Sequence, residues 1–249
     1  MSKHLFDELR KISGGKLNQS QVDATNRIIE KSSINDVLEM LGVNNMILTK
    51  ENLLKIYPSA DIEFLELINK YGPLFDINTK KRLALFVAHS LHESGGFNKL
   101  QESFAYKPDR LLAVFPSRVK TLSTANYLVA KGKEAIANFL YGNRYGNTGP
   151  NDGWLYSGKG LGGLTFKDNY INMQKIMKEY GFDYDIVSNP FLLLDKTVAT
   201  ISFMCYWKSK NLNAYADKND IIGSTKAING GLNGLEERKK LYQLALKHL

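Results

Sequence analysis

The sequence predicts a mainly α-helical protein with one irregular, glycine-rich region that either stays a loop or forms a small β-hairpin. Apolar residues recur at steps of three and four along most of the 249-residue chain, the spacing of amphipathic helices. Eight of the 20 glycines fall within residues 141–163. Hydrophobic residues make up 43% and charged residues 23% of the chain, a composition typical of a globular domain with a sizeable core.

Short helices are expected in the first third of the chain. Leu5, Leu9 and Ile12 begin one, and Ser20 is a suitable N-cap for another over residues 19–31. Further helices are expected over 34–41, from Thr49 to near Pro58, and over 61–71 before Gly72-Pro73. Residues 1–45 form an N-terminal helical segment, either an attachment or part of the main domain, and residues 46–249 form the main domain.

The strongest helical pattern covers residues 79–93. Its apolar residues Leu83, Phe86, Val87 and Leu91 lie on one face, and Ser94-Gly-Gly96 ends the helix. Glu93 therefore lies at the negative end of the helix dipole, which disfavours a second negative charge. We expect a raised pKa for Glu93, as a general acid requires.

Helices are expected again over residues 167–180, 195–208 and 234–248. The last is amphipathic and basic. We expect Leu241, Leu244 and Ala245 to pack on the core, with contact to a membrane or another anionic surface as the alternative. The aromatics Trp154 and Tyr156 stand in the long glycine-rich region, and ordered loops of this kind are often functional.

Charge and cysteine content exclude several classes of protein. The net charge is +8, and residues 1–45 are neutral, so the whole excess lies in residues 46–249. This balance favours an anionic partner, although no block of like charges indicates a nucleic-acid-binding arm. The one cysteine, Cys205, excludes an internal disulfide or a cysteine-based zinc site. The charged N-terminus lacks an apolar signal sequence, so we expect synthesis in a cytoplasm.

Two glutamates are candidates for acid–base chemistry. Glu102 follows Glu93 after the glycine break, so the chain can fold back and place two carboxylates across a cleft, as glycoside hydrolysis requires. His89 and His92 leave a zinc hydrolase as an alternative, but a catalytic zinc normally needs three protein ligands. Gly158–Gly163 fits a dinucleotide motif without the strand that such a site needs. We expect neither metal nor cofactor.

Five short motifs follow one another along the chain: His92-Glu-Ser-Gly-Gly-Phe97, Glu102-Ser-Phe-Ala-Tyr106, Gly146-Asn-Thr-Gly-Pro-Asn-Asp-Gly-Trp154, Tyr156-Ser-Gly-Lys-Gly-Leu161 with Leu164-Thr165, and Ile228-Asn-Gly-Gly-Leu-Asn-Gly234. In this order they resemble glycoside hydrolase family 19, the chitinase-like group, and within it the phage endolysins with lysozyme activity. The resemblance runs from about residue 46 to the C-terminus.

The resemblance implies a lysozyme-like helical fold with a cleft between two lobes, and an inverting mechanism. Glu93 matches the general acid, Glu102 the base that activates water, and Thr165 the hydroxyl residue that holds this water. The carboxyl groups should then lie about 6.5–9.5 Å apart. We expect Glu93 to be the more buried of the two and Glu102 to stay ionised. The expected substrate-binding residues are Asn229, Tyr156, Trp154, Arg238 and His92.

The resemblance implies a monomeric endolysin that cuts the β-1,4 bond between N-acetylmuramic acid and N-acetylglucosamine in peptidoglycan strands. Such a protein is made in a host cytoplasm and reaches the cell wall after release, and residues 1–45 could serve it as a wall-binding attachment. One departure is Gly162-Gly163, where the family usually has Ile-Gln. A chitinase of the same family and a non-catalytic wall-binding protein remain the alternatives.

Overall fold

A computed structural model describes residues 47–249, and the helices expected within residues 1–45 lie outside this range. The mainly α-helical prediction is confirmed. No helix of the described range is long and apolar enough to cross a membrane. The α-helices are α1 Lys50–Ile56, α2 Glu63–Tyr71, α3 Lys80–Ser94, α4 Pro108–Val114, α5 Leu122–Lys131, α6 Lys133–Tyr141, α7 Asp152–Leu155, α8 Lys167–Glu179, α9 Lys196–Ser209, α10 Leu212–Asp217, α11 Ile221–Asn229 and α12 Leu235–His248. Two 3₁₀ helices cover Gly72–Phe75 and Pro190–Leu194.

Helix α3 forms the centre of the fold. The Thr79 side chain caps its first turn, and every residue from Leu83 to Leu91 is buried. A helix that is buried on all sides must be covered by neighbours all round. Its largest neighbour is α12, which packs along it and buries Leu241 and Ala245. The prediction that the last helix packs on the core is therefore confirmed.

Glycines end α3 as the sequence predicts. Gly95 and Gly96 have φ values of +56° and +78°, which glycine adopts without the steric cost of a Cβ. The Gly96 N–H donates to the Leu91 carbonyl over 2.8 Å, a bond of the kind that closes helix ends. The Tyr57 ring also lies where a Cβ on Gly96 would sit. This sharp end places Glu93 on the last turn of α3.

Two separate hydrophobic cores divide the described chain. The large core surrounds α3 and includes residues from α1, α2, α8, α9, α10 and α12. The small core lies under α4, α5 and α6 and consists of Phe104, Leu111, Val119, Ala125, Leu128, Ile136, Ala137 and Leu140. The two lobes that the resemblance implies correspond to these cores. Glu93 lies on the large core, and Glu102 lies beside the small one.

The region from residue 141 to 166 is an ordered, irregular connection. Besides the one-turn helix α7, its described residues form isolated β-bridges, including Arg144–Asn147 and Lys159–Leu164, and no hairpin, so of the two expectations it is a loop. The buried Asn147 accepts from the Lys167 N–H and donates to the Tyr141 carbonyl. The Asp152 side chain accepts from the Thr148 and Gly149 N–H groups. These contacts fix the loop between the lobes.

Six helices have no counterpart in the sequence analysis: α4, α5, α6, α7, α10 and α11. Each has at most ten residues. So short a segment shows few apolar repeats, and a helix of this length depends on tertiary packing. Helices α4 to α6 pack on one another around the small core. Their stability therefore comes from contacts that the local pattern does not contain.

Candidate active site

Glu93 lies on the last turn of α3, where the glycine end of the helix leaves its side chain partly exposed. Its Oε1 accepts a hydrogen bond of 2.5 Å from Arg238 on α12. The Arg238 side chain is 1% exposed and that of Glu93 is 23% exposed. A buried guanidinium therefore covers one side of the carboxyl group and leaves the rest of it open. Arg238, one of the expected substrate-binding residues, contacts Glu93 in this structure.

Arg238 also contacts His89, one helical turn before Glu93 on α3. Its Nη1 lies 2.8 Å from His89 Nδ1, and His89 Nε2 lies 2.9 Å from the Ser224 hydroxyl on α11. Burial, followed by the charge of Arg238, lowers the pKa of His89 to about 3, so this ring is neutral at ordinary pH. Both ring nitrogens have protein partners, and no group of three metal-ligating side chains occurs in residues 47–249.

His92 lies beside this group on the outer side. Its Nδ1 is 2.9 Å from Glu237 Oε2, although the two are not aligned for a hydrogen bond. Its ring packs directly on Gly234, where a Cβ would lie 2.3 Å from the ring. Gly234 also has a φ of +71°. Contact with His92 and backbone conformation thus both favour glycine here.

Glu102 is held from the small lobe. The Tyr141 hydroxyl, at the end of α6, lies 2.8 Å and 2.9 Å from the two carboxylate oxygens. Burial raises the pKa of Glu102, while the bond from Tyr141 and the charge of Lys159 act in the opposite direction. Glu102 is partly exposed, and its raised pKa is a feature that the sequence does not predict.

Thr165 lies close to Glu102, and both flank Gly158. A Cβ on Gly158 would lie 3.3 Å from Glu102 Oε2 and 3.4 Å from Thr165 Oγ1. The Glu102 N–H donates to the Gly158 carbonyl over 2.8 Å, so backbone pairing fixes the carboxylate here. Thr165 donates its own proton to the Gly163 carbonyl. Its lone pairs remain available to a water, which is the geometry that a water-holding hydroxyl needs.

A cavity of about 610 Å³ opens beside Thr165. Asn229, at the end of α11, also lines it, together with Gly162, Gly163, Phe203 and Tyr206. Burial raises the pKa of Tyr206, and the charge of Glu93 adds to this rise. Glu93 therefore lies within electrostatic reach of the cavity wall. Among the expected site residues, Thr165 and Asn229 share this cavity, and Glu93 lies near it.

Two expected substrate-binding residues, Tyr156 and Trp154, pack against the two cores. Tyr156 is 5% exposed, and its hydroxyl donates to the Val187 carbonyl. Trp154 packs on Phe104 at the edge of the small core. These contacts connect the glycine-rich segment to both cores.

The sequence analysis missed two residues that shape the site, Tyr141 and Lys159. The buried Lys159 Nζ donates to the carbonyls of Trp154 and Leu155 and to the Ser157 hydroxyl, at 2.9–3.0 Å. Burial lowers its pKa to about 8, and the charge of Glu102 opposes this shift. The ammonium group therefore fixes the backbone that carries Gly158. Its signal is a lysine within a Gly-Lys-Gly turn, which the sequence leaves open to other interpretations.

The site thus combines two carboxyl groups with different partners. Glu93 has a cation, and Glu102 has a hydroxyl donor and a neighbouring threonine. Where two carboxyl groups flank a glycosidic bond, one can protonate the leaving oxygen and the other can activate a water.

Comparison with known proteins identifies the family. No family model matches the chain. Over 200 residues it is 35% identical to a glycosyl hydrolase family 19 domain-containing protein of Haemophilus influenzae, a match that covers 80% of this chain and 95% of that protein. The chain belongs to glycosyl hydrolase family 19. The family resemblance of the five motifs is therefore confirmed, and the chain is a chitinase-like member of a family of glycan hydrolases.

A solved structure shows the same fold. The crystal structure of chitinase C from Streptomyces griseus HUT6037 superposes with a TM-score of 0.52 at 19% sequence identity. The match covers 82% of the family 19 chain and 94% of chitinase C. At this identity the likeness applies to the fold, so the lysozyme-like helical architecture is confirmed.

Proposed function

We propose that this family 19 protein hydrolyses the β-1,4 bond between N-acetylmuramic acid and N-acetylglucosamine in peptidoglycan, with inversion at the anomeric carbon. Glu93 is the general acid, Glu102 the general base, and Thr165 holds the attacking water. The observation that carries the proposal is the convergence of Glu102 Oε2 and Thr165 Oγ1 on Gly158. This arrangement leaves a carboxylate and a hydroxyl acceptor beside one another for a single water.

Charge favours peptidoglycan over a neutral glycan. The net charge of +8 lies entirely in residues 46–249, and peptidoglycan carries carboxylates on its peptide stems. A positive protein concentrates an anionic polymer around itself. In this proposal the protein acts as a phage endolysin, made in a host cytoplasm and acting on the wall after release.

Chitin hydrolysis is the second candidate. It is supported by the fold shared with a chitinase. The cavity beside Thr165 also has Gly162 and Gly163 at its edge, so the subsite contacts differ from the usual family pattern. The catalytic pair would be the same for both substrates.

The first experiment separates these candidates by their products. Purified peptidoglycan is digested, the new ends are reduced with borohydride, and the fragments are identified by mass spectrometry. Reduced muramic acid is the expected new end. Reduced glucosamine would move the cut to the other glycosidic bond, and free peptide ends on intact glycan would overturn the proposal. Fragments from chitin oligomers alone would support the chitinase.

The second experiment assigns the two roles by chemical rescue. Glu93→Gln should abolish hydrolysis of natural glycan but retain turnover of an aryl glycoside whose leaving group needs no proton. Glu102→Ala should lose roughly a hundredfold or more in rate, and azide should restore turnover as a glycosyl azide of inverted configuration. Thr165→Ala should cost less, because it only orients water. The opposite rescue pattern would exchange the roles of Glu93 and Glu102.

A further inference from the structure

A hydrogen-bond network of buried polar groups connects three helices behind Glu93. Ser224 on α11 and His89 on α3 are 0% exposed, and Arg238 on α12 is 1% exposed. The contacts run from the Ser224 hydroxyl to His89 Nε2 over 2.9 Å, from His89 Nδ1 to Arg238 Nη1 over 2.8 Å, and from Arg238 Nη2 to Glu93 Oε1 over 2.5 Å. Groups buried this deeply are costly unless each finds its partner.

The donors and acceptors in this network fix the tautomer of His89. A guanidinium has only N–H donors, so His89 Nδ1 must accept and must carry no proton. A neutral ring then has its proton on Nε2, which donates to the Ser224 hydroxyl. Ser224 in turn donates to the Ile221 carbonyl at the start of its own helix. Every proton in the network therefore has one assigned position.

We propose that His89 is a positioning residue for Glu93, acting as an uncharged acceptor that fixes the Arg238 guanidinium so that its other nitrogen faces the carboxyl group. The role of Glu93 in this inference rests on the proposed function. The geometry of the histidine, the arginine and the glutamate does not.

The choice of acceptor matters because Arg238 has few partners. Its Nε is buried and has no acceptor among the described residues, so contacts at the Nη atoms orient the guanidinium plane. A carboxylate at position 89 would share the positive charge with Glu93. The neutral ring accepts from one nitrogen of the guanidinium and leaves the positive charge of Arg238 to pair with Glu93.

Other groups around Glu93 complete its electrostatic environment. On α3 these are His89 and His92, and on α12 they are Arg238 and Glu237, whose Oε2 lies 2.9 Å from His92 Nδ1. On α9 the Tyr206 hydroxyl lies within reach of the Glu93 charge. Arg238 alone among these donates to Glu93 within the described residues. A change in the orientation of Arg238 should therefore displace the donor that holds Glu93 in place.

The first test needs no substrate. Long-range ¹H–¹⁵N NMR of the ¹⁵N-histidine-labelled protein should show His89 protonated at Nε2, bare at Nδ1, and unchanged as the pH is lowered from 8 to about 5, well above a pKa of about 3. The spectrum of His89→Gln assigns the signal. A ring protonated at Nδ1, or one that titrates above pH 5, would overturn the proposal whatever the enzyme hydrolyses.

The second test uses variants and steady-state rates. His89→Leu leaves Arg238 Nη1 without an acceptor, and we expect kcat to fall about tenfold with KM changed less than about twofold. His89→Gln offers a carbonyl acceptor and an N–H donor, so it should restore kcat.

A purely structural role predicts a different pattern. His89→Leu would then change kcat and KM together, and His89→Gln would correct neither; that outcome overturns the proposal. If His89→Leu does not fold, Ser224→Ala provides the milder change, with a fall in kcat of about two- to fivefold at a nearly unchanged KM. A wild-type kcat in Ser224→Ala would count against the proposal. A wild-type protein inactive on both polymers would contradict the proposed function while leaving the NMR result valid.

Discussion

Single residues around the site give the two glutamates opposite environments. Glu93 lies at the negative end of α3 but contacts the buried guanidinium of Arg238. Glu102 lies on a connecting segment, yet burial raises its pKa while Tyr141 and Lys159 oppose the rise. At Glu102, burial therefore outweighs both the partners of the carboxyl group and its place on a connecting segment.

Replacing Tyr141 by phenylalanine should show how far the tyrosine hydroxyl lowers the pKa of Glu102. The hydroxyl donates to both carboxylate oxygens and lowers the pKa of Glu102 against its burial. Without it this pKa rises further, so the ionised base is lost at a higher pH. We expect the acidic limb of kcat/KM to move up by about one pH unit, equivalent to one charge-assisted hydrogen bond. The measurement is the rate profile between pH 4 and 8.

Tyr106→Phe is the matched control for this change. Tyr106 feels the charge of Glu102, which together with burial raises the pKa of its hydroxyl, but it is not among the donors to that carboxylate. Its removal should leave the acidic limb in place. Equal shifts in Tyr106→Phe and Tyr141→Phe would mean that general polarity, and not the specific bond, controls Glu102.

The sequence identifies the residues of the site, but it does not predict the hydrogen bonds between them. Glu93, Glu102 and Thr165 are found through motifs, and the structure places Glu102 and Thr165 around Gly158. The bonds from Tyr141 to Glu102 and from His89 to Arg238 join residues 39 and 149 positions apart. No local pattern contains such distant pairs. The raised pKa of Glu102 depends on burial by segments that lie far away in the sequence, so it could not be predicted either.

The secondary-structure elements were predicted where local signals define them and missed where distant contacts do. The ends of α3 were predicted within one residue, because Thr79 and Gly95 carry cap signals that act locally. The short helices around the small core were not predicted, since their burial is shared among α4, α5 and α6. In the glycine-rich loop, the sequence predicts irregular structure but not the buried Asn147 and Lys159 that hold it.

The Gly162-Gly163 pair tests how this loop packs on α9. A Cβ on Gly162 would lie 2.7 Å from the ring of Phe203, which is 2% exposed and packs against Phe86 and Trp207. We expect Gly162→Ala to lower the free energy of unfolding by about 1–3 kcal/mol, as overpacking does. Near-ultraviolet circular dichroism should change too, because the aromatic cluster must move. Urea unfolding measures the first effect.

Gly163→Ala provides the comparison within the same turn. A Cβ there meets nothing within 4 Å, but φ is +60°, so only backbone strain of about 1–2 kcal/mol is added. The aromatic spectrum should stay that of the wild type. A Gly162→Ala protein with unchanged stability and spectrum would show that Phe203 does not press on this turn.

The whole molecule has a charge distribution suited to a polyanion. Its net charge is +8, and part of this charge lies on the outer face of α12, where Lys240 and Lys247 are exposed. The inner face of that helix packs on α3 and supplies Arg238 to Glu93. One helix thus carries a packing face, a site residue and a positive surface. Charge on its outer face can be changed without altering the other two.

Salt should therefore affect polymer and small substrates differently. Screening lengths fall from about 30 Å at 0.01 M to about 8 Å at 0.15 M, so we expect turnover of peptidoglycan to fall several-fold over this range, and that of a neutral soluble oligosaccharide to change little.

Replacing Lys240 and Lys247 by glutamate lowers the net charge from +8 by four, to +4. This double variant should be slower on peptidoglycan at low salt and less sensitive to added salt, because the lost charge is what salt screens. Exposed substitutions usually change stability by less than about 0.5 kcal/mol each, so its thermal unfolding should match that of the wild type. A double variant with wild-type salt dependence would show that attraction to the wall does not come from this face of α12.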